Sequence, residues 1–162
     1  MINKESIDLI KHFESLHDGD TKTAGLQPKQ DPIGIWTEGY GRAMRVNGKF
    51  LKGIENKELA YKIATIKTEK EAEEALIQDL RVYEDIVDKK LKVGVNCNQY
   101  GALVSHTYNT GGSATLFDLI NSNASKDKIY NWFTTKYITA GGVKLNGLVR
   151  RRKAEADLYF KK

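Results

Sequence analysis

The chain has 162 residues, of which 40% are hydrophobic and 29% are charged, and its net charge is +5 at neutral pH. This length suits one domain with a sizeable core, no apolar run is long enough to cross a membrane, and a single cysteine, Cys97, excludes an internal disulfide. The positive charge suits a polyanionic partner, but the sequence has neither zinc-finger spacing nor an RNA-binding aromatic motif.

The first predicted helix begins after Asn3, a favourable N-cap residue, and has an acidic residue on its apolar face. Ile7, Ile10 and Glu14 recur at the spacing of one helix face, so Glu14 stands where the pattern calls for an apolar side chain. Loss of water favours the protonated form of a carboxyl group, which can then act as a general acid. A buried ion pair with an arginine is the alternative explanation for this position.

A polar and irregular loop over residues 15–30 precedes a short predicted strand region at 33–40. Asp31 opens a turn, and Asp31 and Thr37 bracket the strand pattern, which would bring a carboxylate and a hydroxyl close together. With Glu14 on a nearby helix, these are the polar groups that a glycoside hydrolase site requires. An ordinary β-hairpin with an aspartate turn explains the same residues equally well.

After one further predicted strand segment at 43–51, the rest of the chain is predicted to be mostly helical. That segment contains Asn47-Gly48, a strong signal for a type I′ hairpin. Tyr137 is expected to be buried together with the apolar face of the helix that Ser125 caps. Helices are expected over 57–66, from the capping box Thr68-Glu69-Lys70-Glu71 to about 91, from Asn96 or Asn98 to Gly111-Gly112, over 113–120, after Ser125, and over 148–160.

The last predicted helix places two charged residues, Arg151 and Glu155, on its apolar side. An inward arginine needs an anion, and Glu14, Asp8 or Glu155 could supply it. The triplet Arg150-Arg151-Arg152 is also the densest basic cluster in the chain.

An ordered series of motifs resembles the phage-type lysozymes, the endolysins of glycoside hydrolase family 24. The resemblance covers nearly the whole chain, and it implies an α+β, lysozyme-like fold in a single domain of residues 1–162. Residues 1–66 would form the first helix and a small antiparallel β-sheet lobe, 67–91 a connecting helix, and 92–162 a mostly helical lobe. The motifs are Phe13-Glu14, Asp31 with Thr37 after five intervening residues, Glu38-Gly39-Tyr40-Gly41, Asn98-Gln99-Tyr100, Tyr108-Asn109, Gly141-Gly142 and Gly147-Leu148-Val149-Arg150-Arg151-Arg152.

The resemblance implies hydrolysis of the β-1,4 bond between N-acetylmuramic acid and N-acetylglucosamine in bacterial peptidoglycan. Glu14 would protonate the leaving oxygen. Asp31 and Thr37 would hold a water on the opposite face of the sugar, as in an inverting enzyme. The substrate would lie in a cleft between the two lobes.

The same resemblance implies supporting roles for other matched positions. Tyr108, Asn109 and Gly39 are expected to bind substrate, although Tyr108 is equally consistent with a core residue. Arg151 would orient Glu14, or else form a structural ion pair. No metal or cofactor is expected, since the three histidines do not have metal-ligand spacing.

The sequence departs from the family pattern near the expected site. Residues 15–30 form a longer connection between Glu14 and Asp31 than the family usually has. Glu38 and Arg42 stand where isoleucine and histidine are usual. We expect Glu38 to add a negative charge beside the site and to alter its pH range or substrate fit.

Three other functions stay open. A lytic transglycosylase needs the acid but not the water-holding aspartate, a catalytically impaired protein would bind peptidoglycan without cleaving it, and a small nucleic-acid binder is suggested only by basic charge. No signal peptide is visible. We therefore expect the protein to be made in the host cytoplasm and to act on the cell wall after release. We also expect a monomer that neither inserts into membranes nor binds nucleic acid.

Overall fold

The structure, a computed structural model, describes residues 2–162, whose contacts divide into two compact units. The β-rich unit is Glu14–Asp79, and the helical unit comprises the other described residues, up to Phe13 and from Leu80 onwards. The division falls within the long helix predicted to begin at Thr68. The single lysozyme-like domain with lobes over 1–66 and 92–162 stays a prediction.

Helices and very short antiparallel strands alternate along the chain, which confirms the predicted α+β class. The first half contains α1 (Lys4–Glu14), β1 (Lys29–Gln30), β2 (Trp36–Glu38), β3 (Arg42–Ala43), β4 (Arg45–Val46), β5 (Lys49–Phe50), a 3₁₀ turn (Ile54–Asn56) and α2 (Lys57–Ile63). The second half contains α3 (Glu69–Lys90), α4 (Cys97–Thr110), α5 (Ala114–Asn121), α6 (Lys126–Thr135), β6 (Thr139–Ala140), β7 (Val143–Lys144) and α7 (Asn146–Tyr159).

The β-rich unit contains one three-stranded sheet, in the order β1-β2-β3, and the separate hairpin β4-β5. The predicted strand at 33–40 is observed only as Trp36–Glu38, because Gly39 and Gly41 adopt positive φ angles of 61° and 99° and end the ladder. The predicted turn at Asn47-Gly48 is confirmed. Both residues have the positive φ, 51° and 77°, that a type I′ turn requires.

A small apolar core stabilises the β-rich unit. Trp36, Met44, Leu51 and Ala60 are all buried and form one cluster. The indole N–H of Trp36 donates to the carbonyl oxygen of Gly53 at 2.8 Å, so its one polar atom is satisfied inside the core. Burial of Trp36 therefore fixes the start of β2, beside the predicted site residue at position 37.

Predicted helix starts in the second half of the chain are largely confirmed. Asn96, rather than Asn98, caps α4 in a complete capping box with Gln99, and Ser113 and Ser125 cap α5 and α6. The predicted box at the start of α3 is only half formed. As predicted, the Thr68 hydroxyl accepts a hydrogen bond from the backbone amide of Glu71 and caps α3. The Glu71 carboxylate, however, accepts from the backbone amide of Lys67 rather than from that of Thr68.

Helix α4 is the buried centre of the helical unit, with a continuous buried run from Gly101 to Thr107. A Cβ atom placed on Gly101 would lie only 1.6 Å from Oγ of Ser6. Helix α1 can therefore approach α4 because residue 101 has no side chain. Within residues 2–162, no helix combines the length and apolar character needed to cross a bilayer.

One expectation for the C-terminal region is wrong. Tyr137 is 45% exposed rather than buried, since it follows the end of α6 with a positive φ of 57°. The error comes from the end of a helix, where local patterns give little information about the direction of the chain. Further on, Gly141-Gly142 forms the turn of the β6-β7 hairpin, in which Ala140 pairs with Val143.

Candidate active site

One cavity of the β-rich unit, with a volume of about 410 Å³, is lined by both predicted catalytic carboxylates. Glu14 reaches it from the C-terminal end of α1, and Asp31 reaches it from the residue after β1. His17, Lys29 and the residues beside them complete the lining. The fold thus brings an acid from a helix and an acid from a sheet to one solvent-accessible space. We call this space the acid cavity.

The Glu14 side chain is half-buried and lies against the turn that follows β2. A Cβ atom placed on Gly41 would be 3.7 Å from Oε2 of Glu14, so the backbone approaches this carboxylate closely. Ser15 ends α1 with a positive φ of 62°. The carbonyl oxygen of Gly39 accepts a hydrogen bond from the backbone N–H of His17 at 2.7 Å and lies 3.1 Å from its Nδ1. These contacts hold the segment after Glu14 against the Gly-Tyr-Gly turn.

Asp31 is held by a tight turn that fixes one of its two carboxylate oxygens. Oδ1 accepts hydrogen bonds from the backbone N–H groups of Ile33, at 3.0 Å, and Ile35, at 2.9 Å. Within residues 2–162 no side chain or amide bonds to Oδ2, so this oxygen can orient a water.

Thr37 lies on β2 directly opposite Lys29 of β1. Its hydroxyl donates to the carbonyl oxygen of Lys29 at 2.9 Å, and only 6% of the residue is exposed. The sequence predicts that Asp31 and Thr37 bracket one strand. Instead, Asp31 follows β1, and Thr37 lies on β2, the antiparallel neighbour of β1 in the same sheet. The pairing places residues 29 and 37 on one face of the sheet, and Lys29 lines the acid cavity whereas Thr37 does not. The donating hydroxyl keeps its acceptor lone pairs.

Two other aspartates lie closer to Glu14 in sequence than Asp31 does, but both are engaged within the loop. Oδ1 of Asp18 accepts from the amides of Asp20, at 3.1 Å, and Gln27, at 3.2 Å. The hydroxyl of Thr23, together with a backbone amide, lowers the pKa of Asp20. These acids stabilise the long loop, whereas Asp31 shares the acid cavity with Glu14.

Glu38 points away from the acid cavity and anchors another segment. It is 6% exposed, and its Oε2 accepts from the amides of Thr65, at 3.1 Å, and Ile66, at 3.3 Å. The Thr65 hydroxyl donates to Oε1 at 3.1 Å. The charge expected beside the site is therefore used to fix the chain before α3, and Glu38 does not line the cavity.

Arg42, the second residue that departs from the family pattern, lies on β3 and forms structural hydrogen bonds. Its Nε and Nη2 donate to the two carboxylate oxygens of Asp79 at 3.0 and 2.9 Å, and Nη2 also donates to the carbonyl oxygen of Ala75 at 3.0 Å. This two-point pairing joins β3 to α3 within the β-rich unit.

The remaining predicted site residues, apart from Gly39, belong to the helical unit. Tyr108 is half-buried, and its ring packs edge-on against Tyr83 with centroids 5.0 Å apart. Asn109 is exposed, but its side-chain oxygen accepts a hydrogen bond from the guanidinium of Arg152. Arg151 is only 4% exposed and lies with its guanidinium 5.8 Å from the ring centre of Phe13.

A buried ionic network occupies the interface of α4 and α7, and sequence reasoning found only part of it. Glu155 is fully buried; it accepts from the Ser105 hydroxyl at 2.5 Å and lies 3.6 Å from Nε of Arg151 and 3.2 Å from Nη1 of Arg152. Burial raises the pKa of Glu155, and the two guanidinium groups oppose that shift. Glu155 is thus confirmed as an anion for Arg151, while Asp8 pairs with Lys4.

The basic triplet is consequently not a surface patch. Arg151 and Arg152 are 4% and 0% exposed, and only Arg150 is exposed. The contribution of Arg152 could have been found from its spacing, because residues 152 and 155 are neighbours on one helix face.

His106 should make the protein less stable in mild acid. It is 1% exposed, and burial, reinforced by Arg152 and Arg151, lowers its pKa from 6.5 to about 3. The folded state therefore stays neutral at His106 while the unfolded state binds a proton below about pH 6.5. The free energy of unfolding should fall by up to about 1.4 kcal/mol per pH unit as the pH drops below that value.

The measurement is urea unfolding between about pH 4.5 and about pH 7.5, across the unperturbed histidine pKa. His106→Gln should lose this slope relative to the parent chain, whereas His12→Gln, at an exposed position of α1, should keep it. Equal slopes in the parent chain and in the His106 variant would contradict the assignment.

The family model described as phage lysozyme matches residues 20–155. An endolysin of Bacillus phage B103 is 34% identical over 98% of this chain and 54% of its own length, so the chain spans about half of that relative. An endolysin of Acyrthosiphon pisum secondary endosymbiont phage 1 is 28% identical over 98% of this chain and 97% of its own length.

A solved structure supports the fold directly. The endolysin from Escherichia coli O157:H7 phage FAHEc1 is 31% identical, with a TM-score of 0.76, and the match covers 99% of this chain and 94% of that one. The expected lysozyme-like α+β fold is therefore confirmed. In residues 2–162, no group of three or more His, Cys, Asp or Glu side chains is arranged to hold a metal ion.

Proposed function

Since the chain belongs to the phage lysozyme family, we propose that it is a glycoside hydrolase that cleaves bacterial peptidoglycan at the bond between N-acetylmuramic acid and N-acetylglucosamine. The observation that supports this most strongly is the acid cavity, where Glu14 and Asp31 line one space. The endolysin names of the relatives agree with it. The proposal includes action on the cell wall as a monomer.

Glu14 is the proposed general acid, which protonates the leaving glycosidic oxygen. Its half-buried position against the Gly41 backbone supports this role, because the carboxyl group faces the cavity from a rigid helix end. A protonated acid on one side of the sugar requires a second group that activates water on the other side, if the reaction inverts the anomeric centre.

Asp31 is the proposed water-holding base. Two backbone amides hold Oδ1, which fixes the carboxylate and leaves Oδ2 to accept a proton from a bound water. Negative charge at this position would also stabilise the positive charge that develops on the sugar ring. The Thr37 hydroxyl donates to Lys29 and can accept from the same water, which would fix its orientation. An inverting pair of this kind is separated by roughly 6.5–9.5 Å to leave room for the water.

The other matched residues have proposed supporting roles. Gly39 would act through shape, because its carbonyl oxygen is already occupied by His17 and a Cβ atom there would lie 3.0 Å from Cδ1 of Ile66. Tyr108 and Asn109 would contact the glycan, with Asn109 held by Arg152. Arg151 would orient Glu14.

Product analysis tests the reaction class. Digestion of purified peptidoglycan should release fragments with free reducing ends, and NMR of a soluble glycan substrate should show the α-anomer first, because inversion at a β-linkage gives that product. Anhydro-muramic ends would instead assign a lytic transglycosylase. Binding to the wall without soluble fragments would assign a peptidoglycan-binding protein. Either of these results would contradict the proposed hydrolase.

A further inference from the structure

A second cavity of the β-rich unit, with a volume of about 290 Å³, lies beside the acid cavity. We call it the loop cavity. Lys29 and Gln30 line both cavities, so the two spaces share one wall. A group bound in the loop cavity would therefore be a neighbour of any sugar bound between Glu14 and Asp31. The lining of the loop cavity includes Gly19, Pro28, Lys29, Trp36, Lys57 and Tyr61.

The long loop over residues 15–30 builds one side of the loop cavity and is held in place by specific contacts. The amide of Gly19 donates to the carbonyl oxygen of Gln27 at 3.0 Å, which closes the loop at its base. The amide of Leu26 donates to the carbonyl oxygen of Lys67 at 2.8 Å. A Cβ atom on Gly19 would lie 3.3 Å from the Tyr61 hydroxyl, so the loop backbone approaches α2 closely. The long loop thus forms one wall of the loop cavity.

The loop cavity combines an aromatic wall with two ammonium groups. Trp36 is 3% exposed and packs edge-on against Tyr61 with ring centroids 6.2 Å apart. The Nζ atom of Lys57 lies 5.5 Å from the centre of the Tyr61 ring. Within residues 2–162, neither Lys57 nor Lys29 forms a salt bridge, so both ammonium groups are available to an anion.

Asp20, a competing anion in the long loop, does not remove this availability. Lys57 contributes to the lowered pKa of Asp20, but only as the smallest of several causes. Oδ1 of Asp20 accepts from the amide of Lys22 at 3.0 Å, and Oδ2 accepts from the hydroxyl of Thr23 at 2.6 Å. Both oxygens of Asp20 are therefore used inside the loop rather than by Lys57.

We propose that the loop cavity binds the peptide attached to the muramic acid residue, with a carboxylate of that peptide at Lys57 and Lys29. This inference rests on the proposed function. A group bonded to a sugar in the acid cavity must extend into a neighbouring space. In the proposed substrate, the anionic group of this kind is the peptide. An apolar and aromatic wall with a few charged groups suits a short acidic peptide. Lys57 and Lys29 are thus specificity residues, and the long loop extends recognition from the glycan to its peptide.

The test compares cleavage of two substrates that differ only in the peptide. One is soluble glycan that retains its peptides, and the other is the same glycan after enzymatic removal of the peptides. Lys57→Met should lower kcat/KM on the peptide-bearing glycan by about two- to fivefold, the size expected for a partly exposed ion pair. Lys57→Glu should lower it by about tenfold or more, because it places like charges together. Both variants should match the parent chain on the stripped glycan.

The matched control is Lys62→Glu, which makes the same charge change on an exposed residue of α2 outside the cavity. It should behave as the parent chain on both substrates. A loss at Lys57 that is equal on both substrates, or no loss on either, overturns the peptide site while the hydrolase proposal stands. If the parent chain cleaves neither substrate, the proposed function itself fails and the peptide site fails with it.

Discussion

Replacing Glu14 with glutamine is expected to reduce peptidoglycan cleavage by about a hundred- to ten-thousandfold, the usual contribution of a positioned general acid. The amide has the shape of the carboxyl group but cannot deliver a proton to the leaving oxygen. Loss of turbidity of bacterial cell walls measures the effect directly. The loss should appear in kcat, because the proton is transferred in the transition state.

The control for this substitution is Glu5→Gln on the same helix. Glu5 is exposed and pairs with Lys161 at 2.7 Å, so its variant should retain full activity. Thermal unfolding should show that both variants are folded. A folded Glu14→Gln protein with undiminished activity would refute the role of Glu14, and with it the acid cavity as the reaction site.

Replacing Glu155 with glutamine is expected to destabilise the protein by about 3–5 kcal/mol, because it removes the shared anion of two buried guanidinium groups. Glu155 is 0% exposed and lies within 3.6 Å of Arg151 and 3.2 Å of Arg152. Without its charge, both arginines remain buried beside a neutral amide. Chemical unfolding monitored by circular dichroism gives the change in the free energy of unfolding.

An exposed pair provides the comparison for this effect. Glu5→Gln breaks the exposed pair with Lys161 and should cost less than about 1 kcal/mol. In the double variant Arg152→Met/Glu155→Leu, apolar side chains replace both charges, and the loss should be smaller than the sum of the two single losses. A loss for Glu155→Gln as small as that for Glu5→Gln would contradict a structural role for the network.

The candidate site could be predicted from the sequence only as a set of residues. Glu14 was identified by its position on a helix face, and Asp31 by its spacing to Thr37. The bonds of Asp20 to Lys22 and Thr23 are local, but the bond from the Gln27 amide to Asp18 was not predictable, because it depends on the path of an irregular segment. The same applies to the loop cavity, which exists only where the loop meets α2.

Two charged residues have partners that the sequence did not predict. Glu38 was expected beside the site, but it binds the amides of Thr65 and Ile66, which are remote in the sequence. The partner of Arg152 on α4 was not predicted either, because this residue is fully buried and binds Asn109. Helix spacing indicates the pair of Arg152 with Glu155, but no periodic pattern reveals a partner on another element. Its burial is decided by elements that the chain brings together only on folding.

The sequence by itself determined the elements whose hydrogen bonds close within a few residues. Asn96 with Gln99 starts α4, Ser113 and Ser125 start the next two helices, and Asn47-Gly48 turns a hairpin. Tertiary structure alone decided which side chains meet across long separations. The opposition of Thr37 to Lys29, and the meeting of helix and sheet acids in one cavity, are examples. The physical reason is that local bonds depend on neighbours in the chain, whereas long-range contacts depend on how the whole chain buries its apolar surface.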